Sequence, residues 1–373
     1  MRVLLSGTSN SVLARGVNYP LANDPRVSVF LNQSYGASGS VAVGDHLRKI
    51  DFSQYDFCVL DYCVNEEVFI WQNESSVDVA MNNMNAAIDA ASKSRCQPIV
   101  LILPTSKRAN HKRPFEDAII TELFSRGVPV FNFYEFAKEL VRVSELEFSD
   151  LFLDPMHIRR ELGQFIGQVV LDYMEQSADK PSGLEETELR YHPLDFVPMD
   201  RIEVSGDAEI VRRETKLASA KLLRIQPGAQ LKFMVPDSTT GVTEIIGMTC
   251  NAARSVGSLT DPASGQELQN IKPSTLFAKA RGLTLVSLPI KSPLRVSGSS
   301  AVIEYSWQAR DLAEHQPDPA LELAGFITRT VGRNAEAPVH IASCGNGPIA
   351  LHEEVSETQM QSLAELLLSK PAK

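Results

Sequence analysis

The sequence predicts an α/β protein in two parts: a doubly wound parallel sheet of five strands, then a β-sandwich-like second domain. Short apolar runs alternate with amphipathic stretches through the first half, a polar stretch at 177–190 interrupts them, and many short strand candidates follow. Continuous β-branched runs separated by helices mark a parallel sheet covered on both faces. Short strands split by Gly, Pro, Ser and Asp turns mark a sandwich or jelly roll. A chain of 373 residues also exceeds what one core organises.

In order, the first strand is read at 2–6, where Val3, Leu4 and Leu5 run up to Gly7 and the polar cluster Thr8, Ser9, Asn10 and Ser11. Further strands are read at 26–32, 56–61, 98–103 and 128–132, with amphipathic helices at 79–94 and 114–125. The closing helix repeats Leu162, Phe165, Ile166, Val169, Val170 and Tyr173 at helical spacing, a stripe that packs on the sheet. This defines a first domain at 1–178. The stretch around Pro181 and Gly183 reads as a linker, 179–189, and 190–373 reads as a β-rich domain. Its strands are expected at 208–213, 218–225, 230–235, 242–248, 283–288, 294–297, 301–307 and 338–343. A last helix, opened by the capping pair Ser356 and Gln359, carries Met360, Leu363, Leu366 and Leu367.

With 43% apolar and 22% charged residues the composition is that of an ordinary globular protein. A net charge of -10 argues against a general nucleic-acid binder, because neutralising phosphates takes a basic surface. Five cysteines lie scattered without metal-ligand spacing, which suggests free thiols in a reducing compartment. The apolar run before Gly7 is too short for a secretory signal, and no run reaches the length of a membrane helix. The expectation is a cytoplasmic protein that engages no membrane or nucleic acid and needs no metal or cofactor.

In a doubly wound sheet, functional residues gather at the carboxyl ends of the strands. Strand one delivers Ser9 there, strand two ends in "NQSYGASGS" with Gly36, strand three ends in "DYCVNEE" with Asn65, and "FLDPMHIRREL" precedes the last helix with Asp154 and His157. These are the parts acyl transfer requires. A serine hydroxyl needs a base to take its proton, and histidine titrates in the right range. An aspartate three residues earlier can orient the imidazole, and backbone N–H groups at Ser9 and Gly36 with the Asn65 amide can hold an oxyanion. Gly39 stands beside Gly36, and Ser11 beside Ser9, as alternatives. The stretch "TSKRANHKR" at 105–113 brings Arg108 and His111 to the same end of the sheet, as a solvated loop or as a rim for an anionic substrate.

This ordered set resembles the SGNH hydrolases, also called the GDSL family. Four blocks match over residues 7–157: a Gly-x-Ser turn after strand one, a glycine after strand two, an asparagine after strand three and Asp-x-x-His before the last helix. Thr8 and Asn10 stand where the family has Asp and Leu, and Cys63 and Glu66 where it has Gly and Asp. The resemblance implies a flavodoxin-like parallel sheet, a catalytic triad of Ser9, Asp154 and His157, and an oxyanion hole from Ser9, Gly36 and Asn65. It further implies a serine esterase acting on a small-molecule or glycan acyl ester; because a β-sandwich beside such a domain often resembles a carbohydrate-binding module, O-acetyl carbohydrates are the first substrate class expected. An O-acyltransferase using the same triad and a non-catalytic glycan-binding protein are the alternatives. Since the four blocks end at residue 157, the region from 190 on is expected to help choose the substrate and to supply no triad member.

Overall fold

The computed structural model describes residues 1–108, 111–124, 127–178, 188–214, 219–234, 242–251, 257–260, 267–271, 283, 285–296, 302–309, 320–332, 337–340 and 355–369. Strand β1 (Arg2–Gly7) pairs in parallel with β2 (Val29–Asn32) and β3 (Phe57–Asp61), and the sheet continues through β4 (Gln97–Ile102) to β5 (Val130–Asn132). The order β2–β1–β3–β4–β5 is that of a flavodoxin-like, doubly wound sheet.

Alternation along the central strands feeds two cores. Val3, Leu5, Val59, Ile99 and Leu101 face one side, where α2 (Asn18–Asn23), α7 (Phe133–Arg142) and α8 (Arg160–Ser177) cover them. Leu4, Cys58, Leu60, Val100 and Ile102 face the other, under α3 (Ala42–Lys49), α5 (Val77–Lys93) and α6 (Pro114–Phe124). With both faces buried, the strands read as unbroken apolar runs, which is why they were legible. Two helices leave the carboxyl end of the sheet directly: the single-turn α1 (Ser9–Val12) after β1, and α4 (Cys63–Trp71) after β3. Among the described residues no helix is long and apolar enough to cross a membrane.

The second half builds two antiparallel sheets. One runs β10 (Ile202–Ser205), β13 (Gln230–Met234), β18 (Val302–Ala309), β15 (Gly257–Thr260) and β16 (Glu267–Ile271). The other runs β11 (Ala208–Glu214), β12 (Ser219–Ile225), β19 (Leu321–Val331), β14 (Val242–Asn251) and β17 (Leu285–Val296), with β9 (Leu194–Pro198) also pairing β19. Ile202, Leu231 and Leu259 of the first sheet share one core with Leu223, Met248, Val286 and Phe326 of the second, so the pair is a sandwich. The two strands expected at 283–288 and 294–297 are one strand, β17; Pro289 and Pro293 interrupt the pattern, yet β17 ends its sheet, where proline is tolerated. Strand β19 is not among the expected strands; Glu322 and Arg329 interrupt its apolar residues. In the fold both are buried and paired, Arg329 Nε with Glu244 Oε2 at 2.9 Å and Glu322 Oε2 with Asn251 Nδ2 at 2.7 Å.

Two expectations about boundaries need correction. The last helix, α9 (Glu357–Ser369), begins with the expected capping box, Gln359 N–H on Ser356 Oγ at 3.3 Å and Ser356 N–H on Gln359 Oε1 at 2.9 Å. It does not belong to the β-rich part. Met360, Leu363 and Leu367 join the core under α7 and α8, and Arg159 Nη1 donates to Leu367 O at 2.8 Å. The reason is geometric: the stripe of α9 fills a side of α8 that residues 1–178 leave uncovered. Of the linker expected at 179–189, residues 179–187 lie outside the described ones, while Glu188 and Leu189 open β8 (Glu188–Tyr191), paired with β20 (Ala337–His340).

The two halves share a buried contact. Ile246, Ile327 and Phe196, on the outer face of the six-strand sheet, cluster with Val41 and Val79 at the starts of α3 and α5. Arg329 Nη1 reaches Asp78 Oδ2 at 3.0 Å, and Tyr191 OH donates to Asp89 Oδ2 at 2.6 Å. Strand β14 is thus covered on both faces, which accounts for its nearly unbroken burial.

Candidate active site

Ser9 is the first residue of α1, after Thr8 at the N-cap. Its Oγ lies 2.8 Å from His157 Nε2, and His157 Nδ1 lies 2.7 Å from Asp154 Oδ2. With Nδ1–H donated to the carboxylate, Nε2 is left to accept the serine proton. Asp154 and His157 end and begin two short paired strands, β6 (Phe152–Asp154) and β7 (His157–Ile158). The tight turn between them aims two backbone donors at the same carboxyl: Met156 N–H and His157 N–H reach Asp154 Oδ1 at 2.9 and 3.1 Å. Partial burial opposes ionisation of Asp154, but these donors and the imidazole outweigh it and hold its pKa below the usual carboxylate range.

The neighbouring polar residues lock this pairing. Asn10 bridges to the histidine turn, its Nδ2 donating to Met156 O and its Oδ1 accepting from Ile158 N–H, both at 3.2 Å. Ser11, the alternative nucleophile, is fully buried and donates to Asp61 Oδ2 at 2.7 Å, away from the histidine. Asp61 also takes the Thr8 hydroxyl at 3.5 Å. Burial pushes Asp61 up to about 7 against the lowering effect of the Ser11 and Thr8 hydrogen bonds. Sequence reading missed Asp61 as part of the site, although a carboxylate closing the buried run "FCVL" was the available signal.

The segment after β2 passes beneath the start of α4. Asn65, in the first turn of α4, donates from Nδ2 to Ser38 O at 2.9 Å, leaving its second amide proton for another acceptor. Glu66 accepts from Ser40 N–H, and Asn83 Nδ2 reaches Ser40 Oγ at 3.2 Å. Burial drives Glu66 up to about 7, opposed by its hydrogen bond from Ser40. Gly36 and Gly39 separate clearly here. A side chain at Gly39 would run into the Glu66 carboxylate and the Phe69 ring, and its N–H points to Ser287 O at 3.4 Å. Gly36 has open space beside it, and its N–H donates to no group among the described residues.

On the basic rim, Lys107 N–H and Ser106 Oγ contact Pro155 O at 3.4 and 3.5 Å, so the loop after β4 rests on the histidine turn. Lys107 Nζ lies 5.9 Å from the Trp71 ring, which ends α4 and is 64% exposed. Arg108 belongs to the short turn Ser106–Arg108, and its side chain lies outside the described residues. His111 is exposed and makes no hydrogen bond or ion pair among the described residues, so it is not brought to the triad.

The first half therefore combines a flavodoxin-like sheet order with a serine after β1, a glycine after β2, an asparagine after β3 and Asp-x-x-His before the last helix of the sheet, the arrangement that the resemblance to SGNH hydrolases implies. No protein-family model matches the sequence, and no curated protein matches it. Among solved structures the chain is similar to the acetyl xylan esterase AlAXEase, at 13% identity over 46% of this chain and 99% of that one, with a TM-score of 0.38. It is also similar to a G-D-S-L family lipolytic protein from Desulfitobacterium hafniense, at 12% identity over 45% of this chain and 97% of that one, TM-score 0.38. A family 35 carbohydrate-binding module from Clostridium thermocellum matches at 9% identity over 37% of this chain and 99% of that one, TM-score 0.26.

Proposed function

We propose that this protein is a serine-dependent ester hydrolase that removes O-acetyl or other short acyl groups from a carbohydrate. The observation that carries the reading is the continuous chain from Ser9 Oγ through His157 to Asp154, at 2.8 and 2.7 Å. Ser9 attacks the ester carbonyl while His157 Nε2 takes its proton. Asp154 holds the imidazole in the required tautomer and balances the imidazolium that forms. The carbonyl oxygen becomes an oxyanion, for which the N–H groups of Ser9 and Gly36 and the free proton of the Asn65 amide are the donors. His157 returns its proton to the departing sugar hydroxyl; a water then attacks the acyl-serine by the same route in reverse.

The carbohydrate part of the reading draws on Trp71. An exposed indole near Lys107, on the loop that rests on the histidine turn, offers an apolar face for a sugar ring, and Lys107 itself suits an anionic substituent. Among the described residues Cys58, Cys63, Cys96 and Cys250 are buried free thiols, in keeping with a cytoplasmic enzyme.

The test is a fluorophosphonate probe followed by mapping of the labelled peptide. Label on Ser9, lost in Ser9→Ala together with hydrolysis of p-nitrophenyl acetate, supports the reading. Full activity in Ser9→Ala overturns it. Trp71→Ala should raise KM for an acetylated oligosaccharide far more than for p-nitrophenyl acetate.

A further inference from the structure

The segment that carries Gly36 is held from both sides, and one of those sides belongs to the β-sandwich. Ser287, in β17, donates its backbone N–H to Ser38 Oγ at 2.7 Å and accepts at its carbonyl from Gly39 N–H at 3.4 Å. Ser287 is in turn fixed by its own hydroxyl, 2.8 Å from Thr249 Oγ1 on the paired strand β14. Ser38 passes the contact on, because its carbonyl is the acceptor for Asn65 Nδ2 at 2.9 Å. Ser38, Ser287 and Thr249 are fully buried, so water cannot replace any of these partners.

We infer that Ser38 is a positioning residue for the oxyanion hole, and that the sandwich completes the hole by holding Ser38 through Ser287. The inference rests on the esterase reading above and deepens it. Asn65 has two amide protons in a fixed plane. Anchoring one on Ser38 O fixes the direction of the other, and a donor must be preset toward the developing charge if it is to lower the barrier. The Ser38 carbonyl is itself placed by the Ser38 side chain, whose hydroxyl is fastened to Ser287. The segment therefore has its position set by a strand about 250 residues further along the chain, and the second half of the molecule takes part in the chemistry without touching the substrate.

A double-mutant cycle on p-nitrophenyl acetate tests this. Ser38→Ala removes the acceptor of Ser287 N–H and should lower kcat about tenfold with KM within twofold, a fraction of the effect of deleting a donor outright. In an Asn65→Ala background the same change should cost clearly less in kcat, because the donor that the Ser38 carbonyl anchors directly is gone. Equal losses in both backgrounds make Ser38 a structural residue only and overturn the inference. If Ser38→Ala does not fold, as judged by circular dichroism, the isosteric pair Ser38→Thr and Ser38→Val makes the same comparison. Higher kcat with the hydroxyl supports the inference, and equal kcat overturns it. Fluorophosphonate labelling of Ser9 in the wild type separates the two levels. Labelled protein with an additive cycle removes only the positioning role, whereas unlabelled protein removes the esterase reading and this inference with it.

Discussion

Asn10 occupies the position beside the serine where the resembled family carries leucine, and its contacts explain the exchange. Its amide spans from α1 to the histidine turn, so one buried side chain ties the helix of Ser9 to the turn of His157. Asn10→Leu should cost about 1–3 kcal/mol for the groups left unpaired and lower kcat, measured by urea denaturation and p-nitrophenyl acetate turnover; an unchanged kcat would free the turn from this control. Asp61 makes a second residue-scale case. Its folded pKa of about 7 lies above the ordinary carboxylate value near about 4 because it is buried under α1. The folded state thus holds the proton where the unfolded chain has released it, and this contribution to stability is lost as pH rises through 7. Glu66, also raised to about 7, and Glu116, raised by burial to about 8, act in the same direction. His46, buried and lowered to about 4, opposes them only below its ordinary value of about 6.5. Stability should therefore fall progressively from about pH 4, where the unfolded carboxylates ionise, to about pH 8, less steeply below about 6.5, and level off above that. Asp61→Asn should flatten that slope in urea titrations at each pH, and parallel slopes would show that Asp61 titrates normally.

At the scale of elements, the site is legible because each block falls where a buried strand gives way to polar residues. Ser9, Asn65 and the Asp154–His157 pair all stand at such ends, and strand ends are visible as the limits of apolar runs. The choice between Gly36 and Gly39 was not legible, since it depends on Glu66, Phe69 and Ser287, which only the fold brings together. The same contacts yield opposite expectations for two similar substitutions. Gly36→Ala meets open space and keeps its N–H, so kcat should stay within a few-fold of wild type. Gly39→Ala must push the segment off α4, so both the melting temperature and kcat should fall. A reversed outcome would exchange the two glycines. Asn65→Ala removes a donor and should lower kcat by on the order of 10²-fold while KM holds, because the donor acts on charge that develops only in the transition state. Raised KM with unchanged kcat would make Asn65 a residue that binds ground-state substrate.

At the scale of the whole molecule, composition and periodicity conveyed two halves but not how they are joined. The joining elements are poor in local signal. Strand β19 contains Glu322 and Arg329, whose burial depends on partners far along the chain, and α9 presents an ordinary amphipathic stripe that does not name the surface it will cover. This bears on what a fragment ending at residue 178 would do. It keeps all three residues of the Ser9–His157–Asp154 chain, so a modular reading expects it to hydrolyse p-nitrophenyl acetate normally. The contacts argue otherwise. Removing α9 uncovers the apolar surface that buries Met360, Leu363 and Leu367, each worth roughly 1.5–3 kcal/mol when fully buried, against a total stability of about 5–15 kcal/mol for a typical protein. Removing the sandwich also exposes Val41 and Val79 and leaves Ser38 without its partner. The fragment should therefore aggregate or bind the dye ANS, and any folded fraction should show reduced kcat. Restoring α9 alone, by fusing residues 355–369 after residue 178 through a short Gly-Ser linker, should reduce aggregation only in part, because Val41 and Val79 stay uncovered, and should leave kcat reduced, because Ser287 would still be missing. A folded monomeric 1–178 fragment with wild-type kcat would show that the first half is self-sufficient and that the second serves the substrate only.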